Sequence, residues 1–224
     1  MNRPTIVAVG GFASDVGKTT LMCRILESLP GWEAIKTTRG HYRSCGKDPH
    51  ACCVSHLLGD EPVVRSGRDQ TYEDGKDTGR YWDAGARNVH WMIATEHQVE
   101  KGINQALERV RSEGVIIEGN SFTQFVDVDY LIMVARGSDL RIKGSARRAL
   151  SKASALYLWD EVEQAWAQDS FYCWSKSCGL ESLTNGLPIY TRQSFPQLVA
   201  EVCRVISPIA GLSRMPGVKP KSCA

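Results

Sequence analysis

Residues 5–20 read TIVAVGGFASDVGKTT, in which an apolar run leads into a glycine-bounded loop and a Gly-Lys-Thr triplet. The apolar run predicts a buried strand, and apolar residues at every fourth position from Leu21 to Leu29 predict a helix that begins at Gly17. This order of strand, loop and helix is typical of the phosphate-binding loop of nucleoside triphosphatases. Its spacing is Gly-x5-Gly-Lys-Thr counted from Gly11, one residue longer than the usual pattern, and Phe12 stands where the first glycine of that pattern would be.

The parts of this loop predict how a nucleotide and its magnesium ion would be held. Backbone N–H groups and the positive end of the helix dipole would face the phosphates. Lys18 would reach the outer phosphates, and the Thr19 hydroxyl would ligate Mg²⁺. ATP and GTP both stay open, because the sequence has no clear Asn-Lys-x-Asp motif for guanine. The residues expected to bind the nucleotide are Gly11, Ser14, Asp15, Val16, Gly17, Lys18, Thr19 and Thr20.

The whole chain has the pattern of an α/β protein. Its 224 residues are 42% hydrophobic, which suits one domain with a sizeable core. Segments typical of strands alternate with segments typical of helices, which predicts a mostly parallel sheet with helices on both faces. We expect one nucleotide-binding domain over residues 1–212, with an insert at about 39–76 and a loose tail at 213–224. The predicted strands are 5–9, 32–38, 89–94, 114–117, 130–134, 155–158 and 188–190, and the predicted helices are 17–29, 51–58, 77–86, 97–112, 144–153, 161–168 and 195–206.

Charge, hydropathy and cysteine content restrict the partners and the compartment. A formal net charge of +2 gives little attraction to nucleic acid or to an acidic membrane. The basic run Arg141–Arg148, which includes Lys143, is expected to be a solvated helix face rather than a phosphate or partner contact. No segment approaches the ~20 apolar residues of a membrane span, and the N-terminus has no secretory pattern. We therefore expect a cytoplasmic protein without nucleic-acid or membrane partners, whose eight cysteines do not form structural disulfides.

Three side chains outside the loop are candidates for the chemistry. Glu118 ends a strand at the sheet edge where this fold places its ligands, so it is expected to help hold magnesium; an ordinary strand-end carboxylate is the alternative. Asp77 is a second magnesium ligand, a helix cap or both. Lys36 ends the second strand, and it either meets an anionic substrate or phosphate or is a solvated lysine. The expected catalytic residues are Lys18, Lys36, Asp77 and Glu118.

Four segments within about the first 120 residues agree in order and spacing with a known family: Gly11–Thr20, Ala34–Thr38, Gly75–Ala86 and Val115–Gly119. Together they resemble the MobB-type proteins of molybdopterin guanine dinucleotide synthesis, a group within the SIMIBI class of phosphate-loop proteins. The five residues between the loop glycines resemble dethiobiotin synthetase. The resemblance implies that Thr19, Asp77 and Glu118 bind Mg²⁺, and similarity to the synthetase implies that Lys36 contacts a carboxylated substrate.

The insert contains a cluster of thiols and imidazoles that is not part of the MobB pattern. Three cysteines and two histidines fall within twelve residues, and these side chains can bind zinc or an iron–sulfur cluster. Two of them, four residues apart, would share a face if 51–58 is helical. No Cys-x2-Cys pair is present, so partly buried free thiols are the alternative. The candidate ligands are Cys45, Cys52, Cys53 and His56.

Three functions follow from these observations. The first is a Mg²⁺-dependent protein that binds ATP or GTP, as an enzyme or an adapter, in cofactor or metal-centre biosynthesis, as the MobB resemblance implies. The second is an ATP-dependent small-molecule ligase or kinase of the dethiobiotin synthetase type. The third is a carrier of zinc or an iron–sulfur cluster whose insert is switched by the nucleotide. The expected partners are a nucleotide and a small-molecule or metal-cofactor substrate. The resemblance to this class of phosphate-loop proteins implies a homodimer as a further expected assembly.

Overall fold

A computed structural model describes residues 3–40, 54–136, 141–159 and 164–210. Within these ranges, strands and helices alternate along most of the chain. The strands are β1 Thr5–Gly11, β2 Glu33–Arg39, β3 Val63–Ser66, β4 Val89–Ala94, β5 Gly114–Glu118, β6 Tyr130–Ala135, β7 Ala155–Leu158 and β8 Ile189–Thr191. The α-helices are α1 Lys18–Ser28, α2 Arg68–Thr71, α3 Asp77–Asp83, α4 Val99–Leu107, α5 Gly144–Leu150, α6 Gln164–Ser177, α7 Glu181–Thr184 and α8 Phe195–Ala210.

The described strands form one sheet in the order β3-β4-β2-β5-β1-β6-β7-β8. Every neighbouring pair is parallel except β3 and β4, which are antiparallel. β1 lies between β5 and β6, so the loop that follows β1 begins at the centre of the sheet, at its carboxyl edge. The prediction of an α/β fold with a mostly parallel sheet is confirmed.

Helices cover both faces of the sheet, as the alternation of side chains along β1 shows. Ile6 and Ala8 belong to one buried apolar cluster, and Val7 and Val9 belong to the other. Parallel strands are buried on both faces in this way, so they read as continuous apolar runs. The first cluster takes residues from α4, α5 and α6, including Val99, Ile103, Ala106, Ala146, Ala149, Leu150 and Phe171. The second takes residues from α1, α3 and α8, including Leu21, Met22, Ile25, Leu26, Tyr81, Leu198 and Val202.

The predicted insert contains regular structure that its sequence pattern does not reveal. β3 pairs with β4 as an edge strand, and the short helix α2 follows it. β3 has only four residues, and all four are half-buried, so it lacks the alternation of buried and exposed positions that identifies a strand. Of the helix predicted at 51–58, the described part contains a 3-10 turn at Ser55–Leu57.

Several helix bounds differ from the predictions. The helix predicted at 97–112 is α4, which begins at Val99, after a 3-10 turn at Glu96–Gln98, and already ends at Leu107. In that turn the side chains of Thr95 and Gln98 form a capping box. The helix predicted at 161–168 continues to Ser177 as α6, and α7 was not predicted.

No described helix is long and apolar enough to cross a membrane. The tail predicted at 213–224 lies outside the described residues, and the single-domain assignment over 1–212 stays a prediction.

Candidate functional site

The loop between β1 and α1 folds back on its own lysine. Gly17 caps α1 with a φ of +96°, a conformation that suits glycine, and a Cβ there would lie 3.0 Å from the ring of Trp159. Asp15 has a φ of +57°. The Lys18 ammonium donates a hydrogen bond to the carbonyl oxygen of Ala13 over 3.1 Å. The lysine therefore extends from the first helical residue across the loop, as its predicted contact with phosphate requires.

Side chains outside the loop fix where it begins. The Asn120 carboxamide accepts from Gly11 N over 2.9 Å and donates to Gly11 O over 2.8 Å. Phe12, which stands where a glycine was expected, is fully buried, and its ring lies 6.0 Å from Phe171 and 5.5 Å from Trp174. Phe12 therefore anchors the start of the loop, because its aromatic side chain packs into the apolar cluster beneath it.

Glu118, at the end of β5, collects three hydrogen bonds from different elements. Thr19 Oγ1 donates to Oε2 over 2.8 Å, and Lys36 Nζ donates to Oε1 over 2.6 Å. The hydroxyl of Tyr81, in α3, also donates to Oε2. Glu118 is 3% exposed, so these donors compensate a carboxylate that is nearly removed from water.

Asp77 joins the same group through Lys36. It is the first residue of α3, with Lys76 at the N-cap position, so Asp77 is not the helix cap. Its Oδ2 accepts from Lys36 Nζ over 2.5 Å. Lys36 itself lies in the middle of β2 rather than at its end, because β2 continues to Arg39. The strand is longer than predicted, but the Lys36 side chain still reaches both Asp77 and Glu118.

The charges of this cluster shift one another's pKa values. Burial lowers the pKa of Lys18, the Glu118 carboxylate opposes that shift, and the ammonium groups of Lys36 and Lys143 add to it. Burial also acts to lower the pKa of Lys36, but Glu118 and Asp77 outweigh it and raise that pKa above its usual range. Burial acts to raise the pKa of Asp77, and Lys36 outweighs it, so the net direction is downward. Lys36 and Asp77 are therefore both charged at neutral pH.

The oxygen atoms grouped around Lys36 are of the kind that ligate a magnesium ion. Magnesium prefers hard oxygen ligands, and the predicted set offers the Thr19 hydroxyl and the carboxylates of Asp77 and Glu118. The structure brings these three side chains together: Thr19 hydrogen-bonds to Glu118, and Lys36 bridges Glu118 and Asp77. The ammonium of Lys36 supplies the positive charge between the carboxylates in this arrangement.

A pocket of about 360 Å³ opens beside the loop. Its lining includes Lys18, Lys36, Arg39 and Lys143, and no acidic residue is among the described residues that line it. Buried apolar side chains from β4 and α4, Met92 and Val99, contribute to its wall. The pocket therefore suits a small anionic ligand.

Three of the four predicted zinc or iron–sulfur ligands lie in a part of the chain that the structure does not describe. Cys45, Cys52 and Cys53 lie outside the described residues. His56 is described and exposed, and it is the central residue of the 3-10 turn. Within the described ranges, no group of three or more His, Cys, Asp or Glu side chains is arranged to hold a metal ion. Metal or cluster binding by the insert stays a prediction.

Comparison with known proteins finds distant likenesses. No protein-family model and no curated protein matches the chain. One similar solved structure is LpxK from Aquifex aeolicus in complex with ATP, with 18% identity and a TM-score of 0.45, over 70% of this chain and 48% of that one. Another is Zn(II)-bound YjiA GTPase from E. coli, with 14% identity and a TM-score of 0.41, over 85% of this chain and 58% of that one. A plasmid partition protein from Borrelia burgdorferi bound to AMPPNP has 9% identity and a TM-score of 0.42, over 93% of this chain and 100% of its own.

The chain spans about half the length of LpxK and 58% of YjiA. At these identities and TM-scores the likenesses carry no argument about activity. The function is therefore argued from the side chains of the site.

Three residues of the site were not among the predicted ones. Tyr81 lies four residues after Asp77, a spacing that places both on one helix face, so helical periodicity could have found it. Asn120 follows the predicted strand-end Glu118 by two residues. Lys143 was assigned to a solvated helix face, but its ammonium donates to Ser14 Oγ in the loop over 2.6 Å. No local pattern reveals that contact, which spans 129 residues of sequence.

Proposed function

We propose that the chain binds a nucleoside triphosphate with Mg²⁺ at the loop between β1 and α1 and cleaves or transfers its terminal phosphate. One observation carries the proposal: Lys18, Thr19, Asp77 and Glu118 meet at the carboxyl edge of the sheet, although they come from three separate parts of the sequence. This edge is where ligands bind in open α/β sheets.

The loop and its lysine have the first role, which is to bind the phosphates. Backbone N–H groups of the loop and the start of α1 supply neutral donors, and Lys18 supplies a positive charge. Burial lowers the pKa of Lys18, and a polyanion bound next to it acts in the opposite direction, because it favours the charged ammonium. Asn120 holds the first loop residue in place through both of its hydrogen bonds to Gly11.

Thr19, Asp77 and Glu118 are the residues that would hold magnesium. When bound, the ion neutralises charge on the outer phosphates and orients them for attack. Tyr81 keeps the Glu118 carboxylate oriented, and it stays a hydrogen-bond donor because burial and then Glu118 raise its pKa well above the usual 10.0. Lys36 holds the two carboxylates together, and its ammonium lowers the pKa of Asp77.

The cellular role follows from the sequence resemblance alone. The segments that resemble MobB-type proteins include Asp77 and Glu118, and both of these residues face Lys36. We therefore keep cofactor or metal-centre biosynthesis as the proposed setting.

A second candidate, an ATP-dependent small-molecule ligase or kinase, is favoured by the pocket beside the loop. Its positive lining and its volume of about 360 Å³ suit a small anionic acceptor. This candidate predicts that nucleotide turnover depends on an added organic acid. The metal-centre candidate predicts turnover that is slow and independent of such acids.

Equilibrium titration with ATP and with GTP, each with and without Mg²⁺, tests the proposal. We expect one nucleotide to bind with a Kd below about 1 mM and Mg²⁺ to strengthen its binding, and we expect Lys18→Ala to weaken it by at least about tenfold, since a charge-assisted contact is lost. Lys176→Ala, an exposed lysine in α6, is the matched control and should leave Kd unchanged. If wild-type protein takes up neither nucleotide at millimolar concentration, the proposal is wrong.

A further inference from the structure

Two hydrogen bonds hold Lys143 against the phosphate-binding loop. Its backbone N–H donates to the carbonyl oxygen of Phe12 over 2.9 Å, and its ammonium donates to Ser14 Oγ over 2.6 Å. Lys18 donates to Ala13, the residue next to Ser14. Lys18 and Lys143, which are far apart in sequence, therefore contact adjacent residues of one loop.

The same pocket receives both of these lysines. Lys18, Lys143 and Lys36 all line it, and the described lining residues include no carboxylate. Lys36 is already paired with Asp77 and Glu118, whereas the hydrogen-bond acceptors of Lys18 and Lys143 in the loop are a neutral carbonyl and a neutral hydroxyl. The ammonium groups of Lys18 and Lys143 repel each other when they are close. A polyanion bound between them attracts both and so offsets this repulsion.

We propose that Lys143 is a second phosphate-binding lysine, which contacts the outermost phosphate of the bound nucleotide and so distinguishes a triphosphate from a diphosphate. The inference rests on the proposed function. A hydrogen bond from an ammonium group to a phosphate oxygen is stronger than one to a hydroxyl, so the Lys143 side chain gains by exchanging Ser14 Oγ for phosphate. The side chain is exposed, which leaves it free to make this exchange.

The outermost phosphate is the one that Lys143 fits, because of where Lys143 lies on the loop. The loop amides are expected to serve the inner phosphates, and Lys18 is expected to reach the outer ones, so Lys143 would act beside Lys18. Lys143 comes from the segment after β6, and its backbone bond to Phe12 places it at the first part of the loop rather than at α1. A cation at this position also stabilises negative charge that develops during phosphate transfer.

The test compares the affinities of ATP and ADP, each with Mg²⁺, for wild-type protein and for Lys143→Met. If GTP is the nucleotide that binds, GTP and GDP replace them. We expect Lys143→Met to weaken the triphosphate by about tenfold and the diphosphate by less than about twofold, since only the triphosphate carries the contacted group. Lys143→Arg keeps the charge and should keep most of the preference for the triphosphate. Lys176→Met, an exposed lysine of α6, should change neither affinity.

Each outcome decides between the two proposals. Equal losses for both nucleotides would mean that Lys143 only supports the loop, and no loss would mean that it makes no contact; either result overturns this inference and leaves the proposed function standing. Wild-type protein that binds neither nucleotide overturns both. Lys143→Gln replaces Lys143→Met if circular dichroism shows that the methionine variant does not fold.

Discussion

The ammonium group of Lys36 lies 2.6 Å from Oε1 of Glu118, so a strand lysine supplies positive charge beside a carboxylate expected to hold magnesium. Asp77, the other such carboxylate, accepts from the same nitrogen. Lys36 thus places one positive charge between two carboxylates. Magnesium binding requires the two carboxylates to exchange part of their contact with an ammonium for contact with a divalent ion.

Replacing Lys36 should change the response of the protein to magnesium. In Lys36→Met the two carboxylates face each other without a cation, so we expect a lower Tm without Mg²⁺ and, without nucleotide, a Mg²⁺ affinity about tenfold higher than in wild type. Thermal unfolding across a Mg²⁺ titration measures both effects. Lys101→Met, which removes an exposed lysine paired with Glu61, is the control. A Tm of Lys36→Met that does not respond to Mg²⁺ would exclude Asp77 and Glu118 as ligands.

Asn120 should matter for nucleotide affinity although it is not expected to contact the nucleotide. Asn120→Ala removes both hydrogen bonds to Gly11 and leaves its N–H and carbonyl without their partner, which costs about 1–3 kcal/mol in such cases. We expect a weaker triphosphate Kd together with a lower free energy of unfolding. Urea denaturation and calorimetric titration measure the two, and Asn104→Ala, at an exposed position of α4, is the control. Unchanged affinity would show that the loop does not depend on this anchor.

The Tyr81 hydroxyl should contribute to stability through Glu118. Tyr81→Phe leaves a nearly buried carboxylate with one donor fewer, and a hydrogen bond to a charged group contributes about 1.5–3 kcal/mol. Urea denaturation should show a loss of this size, whereas Tyr172→Phe, at a residue that is 53% exposed, should show none. If both variants unfold at the same urea concentration as wild type, the Tyr81 contact does not stabilise the fold.

A second buried carboxylate, Glu33 at the start of β2, should account for part of the loss of folding stability at low pH. Burial acts to raise its pKa, but the hydrogen bond to His90, at 2.7 Å, and two backbone donors at 111 and 112 outweigh burial and set it below the usual 4.5. A lowered pKa in the folded state gives stability that is fully present above the unfolded pKa and is lost as pH falls through the folded one.

The measurement compares unfolding free energies of wild type and Glu33→Gln between about pH 6 and pH 3. We expect the variant to be less stable at pH 6 and to lose less stability than wild type below about pH 4.5. Glu181→Gln, at an exposed position of α7, should follow wild type throughout. Parallel curves for wild type and Glu33→Gln would show that Glu33 is not the group that titrates.

The sequence predicts the parts of the fold that depend on local pattern. The apolar runs of β1 and β5 and the four-residue spacing in α1 identify these elements, and the strand ends correctly bring Glu118 to the phosphate loop. Asp77 was also predicted at a helix start, and it is the first residue of α3; its contact with Lys36 was not predicted, and its role as a magnesium ligand stays a prediction.

Other parts depend on contacts between distant segments, which no local pattern encodes. β3 is a four-residue edge strand whose pairing with β4 determines its conformation. Phe12 looks like a defect in the glycine pattern until Phe171 and Trp174 are seen beneath it. Lys143 looks like a member of a solvated basic run because its acceptor, Ser14, is 129 residues away.

Backbone amide chemical shifts during titration with triphosphate and Mg²⁺ test the central claim most directly, since the claim is that the amides after β1 surround the phosphates. In ¹H–¹⁵N spectra of wild-type protein we expect the largest shifts at residues 12–20, with Gly17 and Lys18 among them, and much smaller shifts in Lys18→Ala at the same concentration. Spectra in which millimolar ATP and GTP leave residues 12–20 unmoved, or in which the shifts cluster elsewhere in the chain, would contradict the account.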